Sequence, residues 1–470
     1  VVVNGPRQGL GRMRAQAHAN RAGLFGVANV IARMVCTALT AALVALCFTP
    51  ELQGYYYTFA SLLGLQVMVE LGFGQVVIQF AAHEWAHLRM TSRGALGGDP
   101  AALSRLVSLG RLAMVWYALA AIVSSVGLIA AGLAFFPTVS QTSWRAPWIV
   151  LALLSGVTLA AAPMWLLLEG CNQVTQVYRF RLTESVIAGV GGLAAIALGA
   201  GLWTPALAMA TRLVWNIGFL RGFGDFFRSF TAPPIGPRTS WKSEIWPLQW
   251  RIGLSWLSGY LAFNSLPPVL FHYRGPVIAG QTGMTLSLVV GVQQIAGTWA
   301  LVKAPTMGVS IARRDYRAAD RLALQLIVSC TAVTAVVAGA AWLVICWLYA
   351  YRSPLSHRLL PPLTSGLFLL ACIPAQAAFP LSVYLRAHKR EPLMVPSLLA
   401  GSLIFASACY LSPVHGAGAI AASYLAIAGV AAPLAIGTIW LRARRRWHQL
   451  PASSEQLAAP LGASLLETAR

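Results

Sequence analysis

Apolar runs long enough to cross a bilayer recur along the whole chain, separated by short polar segments rich in arginine. About 20 apolar residues span the hydrocarbon core as a helix, and within lipid a backbone must satisfy its own hydrogen bonds. An all-α polytopic membrane protein is the plan this pattern leaves open. Composition agrees: 57% of the residues are apolar and only 10% are charged. A soluble domain carries about 25% charged residues, so this chain cannot cover a globule in water. A soluble enzyme, a disordered chain and a secreted disulfide scaffold are excluded, and the seven cysteines form no C-x-x-C pair.

Twelve runs are read as transmembrane helices: about 24–48, 54–80, 107–135, 147–168, 184–203, 205–229, 247–271, 277–304, 322–350, 361–384, 394–411 and 416–441. Trp203-Thr204-Pro205 is expected to place a capping Thr before Pro at the first helical position, and Pro413 with Gly416 to punctuate the last hairpin. Charge tests the count. The net charge of +21 arises from 34 Lys+Arg against 13 Asp+Glu, but these bases form no single face of the kind that binds nucleic acid. With the N-terminus inside, the cytoplasmic segments hold 24 bases, while the six opposite loops hold only Arg145, Arg274, Arg352 and Arg358. Such an alternation places both termini in the cytoplasm.

The segments are then 1–23, a cytoplasmic N-terminal stretch; 24–229, an N-lobe of helices 1–6; 230–246, a Pro-rich cytoplasmic linker; 247–441, a C-lobe of helices 7–12; and 442–470, a cytoplasmic tail. A faint internal repeat supports two six-helix lobes: Glu51-Leu-Gln-Gly54-Tyr and Val277-Ile-Ala-Gly280-Gln each lead into the second helix of a half. Two like halves with a substrate path between them are a common transporter plan. The outer loops are too short to hold a glycan acceptor, and no Gly-x-x-x-x-Gly-Lys loop is present, so neither glycan polymerisation nor ATP-driven transport is expected.

His83-Glu84-Trp85-Ala86-His87 matches H-E-x-x-H, in which two histidines one helical turn apart hold zinc and the glutamate acts as base. A membrane zinc metalloprotease is therefore one reading. It needs a third ligand, and Asp99, Glu169 and Glu184 stand in no such motif. The opposing reading is a polar helix end at the lipid interface, with no metal bound.

Gly54-Tyr-Tyr-Tyr-Thr-Phe-Ala-Ser-Leu-Leu…Glu70-Leu-Gly-Phe-Gly74 resembles the second helix of the multidrug/oligosaccharidyl-lipid/polysaccharide (MOP) exporter superfamily. Tyr384-Leu-Arg-Ala-His-Lys-Arg-Glu-Pro-Leu, followed by a helix and Gly416-Ala-Gly-Ala-Ile-Ala-Ala-Ser-Tyr-Leu, resembles it further along. The polysaccharide branch fits best. That resemblance implies a flippase of the bacterial cytoplasmic membrane, moving an undecaprenyl-diphosphate-linked oligosaccharide outward by alternating access. Implied partners are that glycan, the bilayer and a coupling proton or sodium ion; no cofactor and no covalent step are implied. The rival within the superfamily is a multidrug cation antiporter.

Ionisable groups within the bilayer cost about 2.5–3.5 kcal/mol each, so each one asks for a reason. Asn29, Arg33 and Thr37 follow at intervals of four on the first helix, and this stripe is expected to line a water-filled cavity where Arg33 meets the diphosphate. Arg212, Arg251 and Asn264 are the further candidates for substrate binding. Arg251 reads equally well as an interfacial anchor. Glu70 is either a proton-coupling carboxylate or a fixed partner of Arg33 or Arg111, and pairing is expected because buried charges are usually paired.

Overall fold

The computed structural model describes residues 6–91, 95–137, 142–231, 233–388 and 392–449, and the side chains of 6–22, 248 and 448–449 are not described. Arg93, Lys389, Arg390, the tail from 450 and the side chains of Arg7, Arg12, Arg14 and Arg21 lie outside the described residues.

Every expected membrane segment is helical. The helices are α1 (Pro6–Cys47), α2 in two parts (Pro50–Glu70 and Phe73–Trp85), α3 (Pro100–Phe135), α4 (Arg145–Gly170), α5 (Val174–Ala197) and α6 (Thr204–Leu220). They continue as α7 (Trp246–Gly259, prolonged to Arg274), α8 (Pro276–Ala312), α9 (Tyr316–Ala350) and α10 (Pro362–Ala387). The last two, α11 (394–415) and α12 (417–449), meet at Gly416, whose φ of 70° and ψ of −161° break the helix where the hairpin was expected. An antiparallel ribbon of β1 (Leu88–Met90) and β2 (Leu96–Gly98) joins α2 to α3, with Leu88 opposite Gly98.

Local chemistry accounts for many of the ends. The hydroxyl of Thr49 accepts from the Leu52 amide at 3.2 Å with Pro50 next in line, and Asp99 caps α3 at the Ala102 amide at 2.9 Å with Pro100 beside it. Both follow the rule that a polar cap and a first-turn proline start a helix. Thr204 departs from expectation. It is the first residue of α6 and caps nothing, because the short helix Gly201–Trp203 leads straight into it. Arg274 meets the end of α11, donating to the carbonyls of Ser412 at 2.6 Å and Pro413 at 3.1 Å. A guanidinium at a helix C-terminus satisfies orphan carbonyls and suits the dipole, which explains one arginine among the base-poor loops.

Several helices run past the apolar stretches, α1 beginning at Pro6, α3 at Pro100 and α9 at Tyr316 and α8 ending at Ala312, and two further boundaries bear on the site. α5 begins at Val174 rather than at 184, so Glu184 lies within it. α6 ends at Leu220 and gives way to the short helices Arg221–Phe223 and Gly224–Arg228.

Contacts divide the chain into two compact units. The first runs as far as Ser287 and includes Trp347–Pro361 and Gly401–Ile420; the second holds Leu288–Cys346, Pro362–Ala400 and the chain from Ala421. This grouping follows contact density and is a different partition from the six-plus-six division by helix order. In the first unit, one core gathers Phe73, Val76, Leu106, Tyr117 and Leu167 from α2, α3 and α4. A second core is aromatic, with Tyr55, Phe59, Phe136, Trp148 and Phe271 in mutual ring contact. In the second unit, Ala323, Leu326, Val383 and Tyr384 pack α9 against α10.

Within the first unit the two repeat motifs touch each other. A Cβ on Gly54 would lie 2.0 Å from the Pro276 carbonyl oxygen, and one on Gly280 would lie 2.8 Å from the Gly54 nitrogen. Gln53 seals the crossing, its amide donating to Gly280 O at 3.0 Å and Arg358 O at 2.9 Å. Backbones approach this closely only without side chains between them. Gly54→Val should therefore lower the melting temperature of the purified protein, in line with about 1–3 kcal/mol of overpacking. Gly127→Ala, where a Cβ meets nothing within 4 Å, should leave it unchanged.

Candidate functional site

The break in α2 shapes the first polar site. Leu71 (φ 49°) and Gly72 (φ 68°) are both left-handed, and the two parts of α2 bend by 47°. Glycine adopts this conformation freely, whereas leucine does so at a cost. Packing holds it there: a Cβ on Gly253 of α7 would stand 3.0 Å from Leu71 Cα. At the end of the first part, Glu70 Oε1 accepts a hydrogen bond from the Tyr117 hydroxyl at 2.6 Å. Gly74 makes room for the pair, since a Cβ there would lie 2.9 Å from Glu70 Oε1 and 3.0 Å from Tyr117 OH. One turn earlier, Gln66 donates to Ser155 Oγ at 2.9 Å, and Ser155 donates in turn to Ala152 O.

Glu70 is not the partner of Arg33 or Arg111; among the described residues no ion pair joins it to either. The bend delivers its carboxyl to α3, while α1 packs against α5. Asn29 Oδ1 accepts from Ser185 of α5 at 2.7 Å, so the first residue of the stripe binds a neighbouring helix. Arg33 and Thr37, one and two turns further, are exposed. Arg33 has no ion pair or hydrogen bond among the described residues.

Arg212 differs from expectation in being neutralised. Its Nε donates to Glu184 Oε1 at 2.8 Å, and Glu184 is buried. One turn on, Asn216 is buried with its Oδ1 unpartnered. Sequence reasoning missed Glu184 because it took the residue for a helix end; the polar run Thr183-Glu184-Ser185 was the available signal. Arg251 is exposed, its guanidinium over the Trp250 ring at 5.6 Å. Asn264 is exposed in the wide turn Tyr260–Asn264. Asn29, Arg33 and Thr37 thus share a helix, and the other candidates occupy separate places in the first unit.

The H-E-x-x-H motif serves a different purpose from the protease reading. Glu84 is 7% exposed and accepts from Arg105 Nε at 2.8 Å, while the His83 side chain is 81% exposed. A general base must be free to take a proton, and Arg105 occupies this one. Among the described residues no three His, Cys, Asp or Glu side chains gather to hold a metal. Among the described residues no zinc donor set is assembled around His83 and His87.

Arg105 instead docks the loop between α6 and α7. Its Nη2 donates to Glu244 Oε2 at 2.7 Å, Gly236 N donates to Ser104 Oγ and Thr239 N to Ser108 Oγ, both at 2.9 Å. Burial pushes the Glu244 carboxyl up, but the Ser240 amide and Arg105 outweigh it and hold the group below the usual carboxylate range. Because the docked value is the lower one, the stabilisation is complete above the free carboxylate pKa and is lost as pH falls through the docked value. The protection of residues 236–245 against hydrogen exchange, taken relative to the intrinsic rate at each pH, should accordingly be high at neutral pH and fall below about pH 4, and Glu244→Gln should lower it throughout.

No protein-family model and no curated protein matches the sequence. Solved structures do match in fold. An inward-facing multidrug resistance MATE family transporter of the MOP superfamily superposes with a TM-score of 0.66 at 12% identity, over 90% of this chain and 100% of that one. The lipid II flippase MurJ in its inward closed conformation gives 0.59 at 12% identity, over 88% and 86%. MATE in complex with MaD5 gives 0.54 at 11% identity, over 91% and 96%. The chain therefore has the fold of MOP superfamily transporters and is a multi-pass membrane protein.

Proposed function

We propose that this protein flips an undecaprenyl-diphosphate-linked oligosaccharide across a bacterial cytoplasmic membrane, with both termini in the cytoplasm, in polysaccharide synthesis. The single observation that carries the reading is Arg33, a guanidinium without a partner among the described residues, exposed on a helix whose other residues are largely apolar. Facing hydrocarbon it would be costly, so it belongs to a water-filled path and awaits an anion. A guanidinium presents a planar fork that fits diphosphate oxygens two at a time. Thr37 extends the same face, and Arg251 and Asn264 add polar groups from α7. Arg212 keeps its role as a candidate only through its exposed edge, since Glu184 already holds its Nε.

The fold serves multidrug cation transport equally well, so the sign of the charge decides between the readings. A cationic substrate calls for free carboxylates. Glu184 and Glu84 are each bound to an arginine, and Glu70 is held by Tyr117. Among the described residues Glu70 has no cationic partner, which suits it to carry a coupling proton while Tyr117 keeps its carboxyl oriented. No covalent step is involved. The two six-helix lobes would rock about the substrate, the crossing at Gly54 and Gly280 parting as the outer side opens.

Export of the finished glycan from cells tests the reading. Arg33→Ala should lower it by about tenfold or more, the scale of a lost charge-assisted contact, at unchanged protein level in the membrane. Arg33→Lys should recover part of the loss. Because Arg33 does not neutralise Glu70, adding Glu70→Gln to Arg33→Ala should restore nothing. Full export by Arg33→Ala would overturn the proposal.

A further inference from the structure

In the second unit α9 and α10 lie side by side and leave a furrow between them. One stretch of it, a cavity of about 350 Å³, is lined by Ala335, Ala338, Gly339 and Trp342 of α9 with Gly366 and Leu370 of α10. A second, of about 360 Å³, is lined by Ile327, Ala377, Leu381, Gly429 and Leu434, the last two from α12. On α10 the lining positions 363, 366, 370, 373, 377 and 381 recur every three or four residues and so share one face. On α9 they run in the opposite sense, from 342 down to 327. The two cavities are therefore successive parts of one furrow. At 1.5 Å per residue it extends about 27 Å, close to the thickness of the hydrocarbon core.

The lining is apolar and its small residues leave it hollow. One end is basic. Continuing the furrow face of α9 past Ile327 reaches Leu324, Arg321 and Arg317, and the face of α12 past Leu434 reaches Leu441 and Arg445. These three arginines are exposed and have no ion pair among the described residues. Of the described acids at that end, Asp320 is already engaged by Arg444 at 2.6 Å and by the Tyr384 hydroxyl at 3.1 Å, and Asp315 accepts from the Ala318 amide at 3.0 Å. At the other end the last turns of α9 and the first turns of α10 carry no base, and the loop that joins them holds only Arg352 and Arg358.

From this polarity we infer that the furrow holds the chain of a long polyprenyl diphosphate, with its diphosphate among Arg317, Arg321 and Arg445. A phospholipid acyl chain reaches only the bilayer midplane and would leave half of the length empty. A single long isoprenoid fills it, and an anionic head meets an unneutralised cationic end. The furrow is a loading site distinct from Arg33, where the substrate lipid is captured by its tail before the head enters the transport path. The inference rests on the flippase reading.

Binding to the full-length protein, followed by native mass spectrometry, tests it with three probes: undecaprenyl diphosphate, farnesyl diphosphate and phosphatidylglycerol. A Cβ on Gly339 meets nothing within 4 Å, so Gly339→Phe fills the furrow without forcing the backbone. Undecaprenyl diphosphate should bind the wild type, and Gly339→Phe should weaken it by about tenfold or more at an unchanged melting temperature. The combined change Arg317→Ala, Arg321→Ala and Arg445→Ala should weaken it comparably and stands in should Gly339→Phe misfold. Farnesyl diphosphate, too short for the furrow, should bind far more weakly, and equimolar phosphatidylglycerol should not compete. Wild-type affinity in both variants, or competition by phosphatidylglycerol, overturns the furrow and leaves the flippase reading standing if Arg33→Ala still stops export. A wild type that binds no undecaprenyl diphosphate overturns both.

Discussion

The first unit is organised around the interruption of α2 at Leu71 and Gly72. A continuous helix would carry Glu70 past α3; the left-handed pair turns it so that its carboxyl meets the Tyr117 hydroxyl over the bare α-carbon of Gly74. The same interruption seats α7 against α2, since Gly253 packs onto Leu71 and the Ile252 side chain onto Gly72. A leucine in the left-handed region costs on the order of 1–2 kcal/mol, and such strain persists where the surroundings over-determine it and often where function requires it. Here the surroundings are two helices and an acid in the bilayer. Half-helices that end in the membrane expose unsatisfied backbone groups, the usual setting for ion-coupled movement.

The remaining charges divide by whether they have partners. Glu184 with Arg212, Glu169 with Arg181, Glu84 with Arg105 and Asp320 with Arg444 are closed pairs, each at 2.6–2.8 Å. They fasten helix to helix and leave nothing for a ligand. Arg33 is one of the arginines with no ion pair among the described residues: its neighbours on α1 offer no acid, and the nearest polar residue of the stripe, Asn29, is taken by Ser185. Glu70, by contrast, is held by an uncharged partner, the Tyr117 hydroxyl.

Much of the fold was legible because the bilayer imposes length and polarity together. Apolar runs marked the helices, and Pro413 with Gly416 marked the last hairpin. The start of α5 was not legible. Tyr178-Arg-Phe-Arg181 reads as a loop, yet it is helical because Arg181 donates to Glu169 at 2.7 Å and its charge is met. The pairing of Glu184 with Arg212 was hidden by a separation of 28 positions along the chain. The break in α2 was invisible too: Glu70-Leu-Gly-Phe-Gly74 carries the glycines that permit it, but the left-handed Leu71 is imposed by α7, far along the sequence. H-E-x-x-H is a local pattern whose acid is claimed by Arg105, 21 residues further along the chain.

Whether the protein moves an anionic lipid or an organic cation is the question on which the account turns. Reconstituted vesicles answer it when they contain the purified protein and an undecaprenyl-diphosphate-linked oligosaccharide with a fluorescent sugar, exposed to a membrane-impermeant quencher. The account predicts that the protected half of the fluorescence is lost with time in vesicles holding the wild type and is retained in protein-free vesicles. It also predicts that a lipophilic cationic dye is not driven across the same membrane by an imposed proton or sodium gradient. Gradient-driven transport of the dye, with the labelled lipid remaining in its own leaflet, would contradict it.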